Sequence, residues 1–135
     1  MSPLGGLFEV TSPLISIIDD DVGMRTSLDG LVRSLGYRVS CFACAEDFIA
    51  SNALEESCCI VADVQMRDIS GIELCWLVQE RYRSQAGVPV ILISAFRDER
   101  MQAGAKAAGA VVLLRKPFDG DELVRYIEAA ASRSV

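Results

Sequence analysis

The strongest constraint on this chain's fold is a set of five short apolar runs, four of them closed by an ionic or hydroxyl residue. The runs cover residues 14–18, 37–42, 58–62, 88–93 and 111–114. Asp19 follows the first, Asp63 the third, Ser94 the fourth, and Arg115 with Lys116 the fifth. Runs this short and this rich in Val and Ile read as strands covered on both faces, as in a parallel sheet.

Helical spacing fills the intervals. Residues 24–35 place Leu28, Leu31, Val32 and Leu35 on one stripe, and Gly36 stands where a helix would stop. Residues 45–50 make a short segment, and 72–82 carry Leu74, Leu77 and Val78. Residues 97–108 are rich in alanine and end at Gly109, and 121–131 turn Leu123, Val124 and Ile127 inward. Strand and helix alternating in this way predict an α/β fold, a doubly wound (βα)5 sandwich around a five-stranded parallel sheet of flavodoxin-like topology. One domain is expected over residues 14–131, with an N-terminal extension at 1–13 and a C-terminal tail at 132–135.

Composition narrows the chemistry. Thirteen Lys and Arg stand against 19 Asp and Glu, a net charge of −6, so direct binding to a nucleic-acid backbone is not expected. No apolar run approaches the roughly 18–20 residues of a membrane span, and residues 1–13 lack a basic leader pattern, so the expected setting is cytoplasmic. The absence of histidine removes the commonest general base and metal ligand together. Of the five cysteines, Cys41 and Cys44 have the spacing of a redox or metal motif. Zinc would need about four ligands, and Cys41 falls inside a strand rather than at a helix start. Reduced structural thiols are the reading, with a redox pair as the alternative.

The residues at the strand ends carry the chemistry. In open parallel sheets, ligands bind at the carboxyl ends of the strands. If the first, third, fourth and fifth strands are neighbours, Asp19, Asp20, Asp63, Ser94 and Lys116 converge there. Taken singly, each could be a loop polar or a helix cap, which Asp and Ser favour. Carboxylates about 4 Å apart repel by roughly 4 kcal/mol per pair at an effective dielectric near 20, so the cluster must take up a proton, a lysine or a metal. An all-oxygen donor set without imidazole or thiolate suits a hard divalent ion, best Mg2+. A metal, an ammonium and a hydroxyl around one aspartate are equipment for handling a phosphoryl group.

From about Ile15 to Ala131 the chain resembles a response-regulator receiver domain of two-component signalling. The resemblance rests on Ile17-Ile18-Asp19-Asp20-Asp21, on Asp63 within Val61-Ala62-Asp63-Val64-Gln65-Met66, and on Gly71. Ser94-Ala95 after Pro89-Val90-Ile91-Leu92-Ile93, then Gly109-Ala110 and Lys116-Pro117-Phe118-Asp119, complete it. Phe42-Ala43-Cys44-Ala45-Glu46-Asp47-Phe48 resembles the FixJ-like branch. The resemblance implies that Asp63 accepts a phosphoryl group from a phosphohistidine on a partner histidine kinase or phosphotransfer protein. It implies Mg2+ held by Asp20, Asp63 and the backbone carbonyl of Gln65, with Asp19 acting through a bound water. Lys116 would pair with one phosphoryl oxygen and Ser94 would hydrogen-bond to another, and the bond before Pro117 would be cis. Asp21 reads as solvated or as the first helix's cap. The fourth helix, fifth strand and fifth helix would form a phosphorylation-sensitive surface, and a phosphorylation-dependent homodimer is expected there. Such a domain is a phosphoacceptor rather than an enzyme, its own reactions limited to self-phosphorylation and self-dephosphorylation.

Two positions depart from the pattern. Arg67 stands where the family usually has proline, either altering the loop or simply facing solvent. Leu113 replaces the usual Tyr or Phe, so coupling from Ser94 to the surface lacks an aromatic ring. Gln65 and Phe96 flank the pocket and are placed to tune water's access to an acyl phosphate. The enzyme-class rival is a Mg2+-dependent haloacid-dehalogenase-like phosphatase with Asp19 as nucleophile and Asp21 as acid/base. A flavodoxin-like carrier fails for want of a phosphate loop after the first strand.

Overall fold

The computed structural model describes residues 12–81, 87–96 and 98–133. In chain order it contains β1 (Leu14–Ile18), α1 (Val22–Ser34), β2 (Arg38–Phe42), α2 (Ala45–Ala50), α3 (Ala53–Glu56) and β3 (Ser57–Asp63). Next come α4 (Gly71–Arg81), β4 (Val90–Ser94), α5 (Glu99–Ala107), β5 (Val112–Arg115) and α6 (Gly120–Arg133). All strand pairs are parallel, in the order β2-β1-β3-β4-β5. The first, third, fourth and fifth strands are therefore adjacent, as convergence at their ends requires.

Alternation along the strands divides the apolar residues between two layers. Leu14, Ile18, Ile60, Leu92 and Leu113 pack with Phe48, Leu74 and Val78 on the face covered by α2–α5. Ile15, Ile17, Val61, Ile91 and Ile93 pack with Leu28, Val32, Leu123 and Ile127 under α1 and α6. The short helix α2 has little intrinsic stability, and Phe48 anchors it. Its ring is fully buried and meets Phe42 edge-on, with centroids 5.3 Å apart. Such a pair is worth about 0.5–1.5 kcal/mol beyond area burial.

The boundaries differ from the sequence expectations for local reasons. Helix α1 starts at Val22 because Asp21 caps it, its Oδ1 accepting from the Gly23 amide at 3.1 Å. Helix α5 starts at Glu99 because Asp98 accepts from the Met101 amide. The expected start at Arg97 and end at Tyr82 lie outside the described residues, as do residues 1–11 and 134–135 of the expected termini. Helix α6 runs through Ser132 to Arg133, into the expected tail. Leu77 does not join the buried stripe; Gly71, Leu74, Cys75 and Val78 take the inward positions of α4. Leu77 instead lines an open groove with Ile49 and Leu54.

The unexpected turn α3 is tied to a polar residue in the middle of an apolar strand. Ser16 is fully buried, with its Oγ 2.7 Å from the Ser57 Oγ. The Ser57 hydroxyl donates to the Ala53 carbonyl, so Ser16 is the donor to Ser57. This chain of bonds satisfies two buried hydroxyls and fastens α3 to β1. Because of it, the expected fourth and fifth helices are here α5 and α6.

Candidate functional site

Register alone places the site. Ile18 lies beside Ala62, Asp63 beside Ile93, and Ser94 beside Arg115. The ladders continue one step further: the Asp19 amide donates to the Phe42 carbonyl, that of Val64 to Ile93, and that of Lys116 to Ser94. Asp19, Asp63, Ser94 and Lys116 thus stand along one edge of the sheet, at its carboxyl end.

Asp19, Asp20 and Asp63 each place one carboxylate oxygen within 4.8 Å of those of the other two. Asp19 and Asp63 are buried, and Asp20 is exposed. The Lys116 ammonium sits between the two buried ones, 3.7 Å from Asp19 Oδ2 and 3.6 Å from Asp63 Oδ1. One cation among three carboxylates leaves the pocket short of positive charge. The Asp63 carboxyl responds: burial above all, then the Asp19 charge, pushes it up to about 6, against the pull of Lys116. Asp19 is raised too, by burial first, while the Asp21 amide and Lys116 hold it down.

Asp19 is held in place by its neighbours. Asp19 Oδ1 accepts from the Asp21 amide at 2.9 Å, and the Asp19 carbonyl accepts from Arg25 Nη1 at 2.7 Å. Asp63 Oδ1 is buried and makes no hydrogen bond. A buried oxygen of that kind, facing an ammonium beyond hydrogen-bond distance and two further carboxylates, has the chemistry of a donor to a cation. The donor set is all oxygen, as a hard divalent ion requires. The strand end is fixed from behind by Gly71, whose amide donates to the Val64 carbonyl. A Cβ there would collide with the Asp63 carbonyl oxygen, so only glycine lets α4 approach so closely.

Ser94 is fully buried, and both capacities of its hydroxyl are engaged. The Phe96 amide donates to its Oγ at 3.0 Å, and the hydroxyl donates to Gln65 Oε1, also at 3.0 Å. Of the departures, Arg67 is exposed and faces solvent. Leu113 is buried and lines an open groove of about 420 Å3 between α5 and β5. The Lys116–Pro117 bond is cis, as the resemblance implied.

Two side-chain contacts were not expected from the sequence. Arg25 clamps the Asp19 carbonyl from the first turn of α1. A cation there opposes the helix dipole, which is a signal that it serves a partner outside the helix. The Gln65 side chain, expected to flank the pocket and tune water's access, holds the Ser94 hydroxyl. All five cysteines are thiols, with no disulfide among the described residues. Burial raises the Cys41 thiol, opposite to the shift of an activated redox cysteine.

The phosphatase reading gains no support from this geometry. Its acid/base, Asp21, caps α1, while Asp19 is enclosed by the Asp21 amide and Lys116. A family model for the response-regulator receiver domain matches residues 15–128. Nodulation protein W of Bradyrhizobium diazoefficiens is 33% identical over 123 residues, covering 91% of this chain and 53% of that protein. The transcriptional regulatory protein FixJ of the same species is 35% identical over 116 residues, 86% of this chain and 55% of that protein. The chain spans about half the length of the curated relatives it matches. Among solved structures, a BeF3-activated DrrB receiver domain superposes with a TM-score of 0.79 at 27% identity, over 90% of this chain and 99% of that one. No helix among the described residues is long and apolar enough to cross a membrane. With this register, this acidic cluster and these relatives, the chain belongs to the response-regulator receiver domain family of two-component signalling, in its FixJ-like branch.

Proposed function

We propose that Asp63 is the phosphoacceptor, taking a phosphoryl group from a phosphohistidine of a partner histidine kinase or phosphotransfer protein. The observation that carries this is the buried Asp63 Oδ1, without a hydrogen bond and 3.6 Å from Lys116 Nζ. An Asp63 carboxylate oxygen attacks phosphorus and forms the new O–P bond. The P–N bond to the donor imidazole breaks, and its electron pair stays on that nitrogen. Asp63 then carries an acyl phosphate. Lys116 pairs with one phosphoryl oxygen, and the Ser94 hydroxyl donates to another. Asp19, Asp20, Asp63 and the Gln65 carbonyl are the groups that would hold Mg2+, which when bound supplies charge neutralisation for the phosphoryl oxygens. Arg25 fixes the backbone that carries Asp19 and Asp20. The same pocket supports phosphorylation from a small donor and slow loss of the group to water.

The output surface in this reading is formed by α5, β5 and α6. An open groove runs between α5 and β5 on this face, lined in part by Leu113, and Val111 is exposed at its edge. A second copy of the chain is the expected partner. The domain is taken as residues 14–131, and reduced thiols are in keeping with a reducing, cytoplasmic setting.

Incubation with acetyl phosphate and Mg2+, followed by intact mass, tests the acceptor. One phosphoryl group should add to the wild type and none to Asp63→Asn. A gain that persists in Asp63→Asn overturns the assignment. Light scattering before and after phosphorylation tests the dimer, and unchanged self-association refutes that part.

A further inference from the structure

The Ser94 hydroxyl has one proton to give, and its destination decides the state of the pocket. The Phe96 amide donates to one lone pair of Ser94 Oγ at 3.0 Å and leaves the hydroxyl proton available. That proton points to Gln65 Oε1, 3.0 Å away, on the residue two places after Asp63. Ser94 is fully buried whereas Gln65 is exposed, so the bond spans the rim of the pocket from floor to mouth.

We propose that the Gln65 side chain is a positioning residue that holds the Ser94 hydroxyl in the unphosphorylated state and must release it before Ser94 can donate to a phosphoryl group on Asp63. The inference rests on the acceptor role given to Asp63. One hydrogen bond is exchanged for another: Ser94 O–H to Gln65 Oε1 breaks, and Ser94 O–H to a phosphoryl oxygen forms. The Phe96 amide bond can survive the exchange, because it uses a lone pair of Oγ and not its proton. Gln65 thereby sets a threshold on switching that is separate from any influence on water's access to the acyl phosphate. A hydroxyl–amide bond at a partly solvated rim contributes about a two- to fivefold factor to such an equilibrium.

The test is a double-mutant cycle on Gln65→Met and Ser94→Ala, read as the affinity for beryllofluoride in Mg2+. Met keeps the length of the side chain, removes the carbonyl acceptor and leaves the Gln65 backbone carbonyl unchanged. Gln65→Met should bind the phosphoryl mimic about two- to fivefold more tightly than wild type, and the same substitution should do nothing in the Ser94→Ala background. An equal gain in both backgrounds overturns the latch, since the effect would then bypass the hydroxyl. A second readout needs no phosphoryl group: Ser94→Ala should move the Gln65 side-chain amide resonances in the apo protein. Unmoved resonances overturn the latch while leaving Asp63 as acceptor. Moved resonances with no binding of the mimic by wild type overturn the acceptor role and the proposal that stands on it.

Discussion

Replacing Asp63 by asparagine should stabilise the fold at neutral pH while abolishing phosphorylation. In the native pocket the Asp63 carboxyl is pushed from 3.8 to about 6, by burial first and by Asp19 second. A carboxyl raised on folding binds more protons in the native than in the unfolded state across that interval. Its stabilising contribution is full below about pH 4 and is lost as pH rises through about 6. A shift of about two units corresponds to at most about 3 kcal/mol. The pocket opens to water past Asp20, so about 1–3 kcal/mol is the expected gain from the neutral amide. For a chain of 135 residues this is roughly 4–10 °C in Tm. Urea unfolding of both proteins in chelator, from about pH 4.5 to 8, isolates the effect as a difference curve. The difference should be near zero at the acid end and grow as Asp63 ionises. It reports the coupled Asp63–Asp19 pair, because removing one charge relieves the other. A variant no more stable than wild type at the alkaline end, or a gain that ignores pH, would refute the electrostatic reasoning.

The remaining predictions concern the ion and the loop behind it. Mg2+ at about 100 times its Kd should raise wild-type stability by about 2.7 kcal/mol in thermal unfolding, and Asp63→Asn should lose most of that increment. Gly71→Ala should lower both stability, by about 1–3 kcal/mol in urea, and phosphoryl uptake by intact mass, because its methyl would displace the Asp63 carbonyl. Asp68 adopts φ +62°, so Asp68→Gly should stabilise by up to about 1 kcal/mol in the same unfolding assay, and a loss of stability would show that its side chain is needed there.

The fold was legible because its signals are local and redundant. Apolar runs with β-branched residues, helical stripes and Gly36 and Gly109 at positive φ all agree on element type. The boundaries were less so. Asp21 and Asp98 moved two helix starts by capping them, and capping depends on backbone geometry that residue type only suggests. Helix α3 was missed because its support is Ser57, which reaches back to Ala53 while taking the Ser16 proton, a contact 41 residues long. Leu77 was misplaced because one 100° step separates an inward from an outward helical position.

The site divides along the same line. Asp19, Asp20, Asp63, Ser94 and Lys116 could be named because each ends or follows a strand, and a parallel sheet gathers strand ends whatever the intervening sequence. The side-chain contacts of Gln65 and Arg25 were not legible, since they lie in where long side chains turn after the backbone is set. The same distinction governs Leu113. Register puts it beside Leu92, two residues before Ser94, buried and lining the open groove between α5 and β5. In the proposed reading, a movement of Ser94 would act on that groove through Leu92 and Leu113, without an aromatic ring to relay it. Coupling of that kind is carried by volume rather than by a hydrogen bond, and volume is the property that sequence patterns record least.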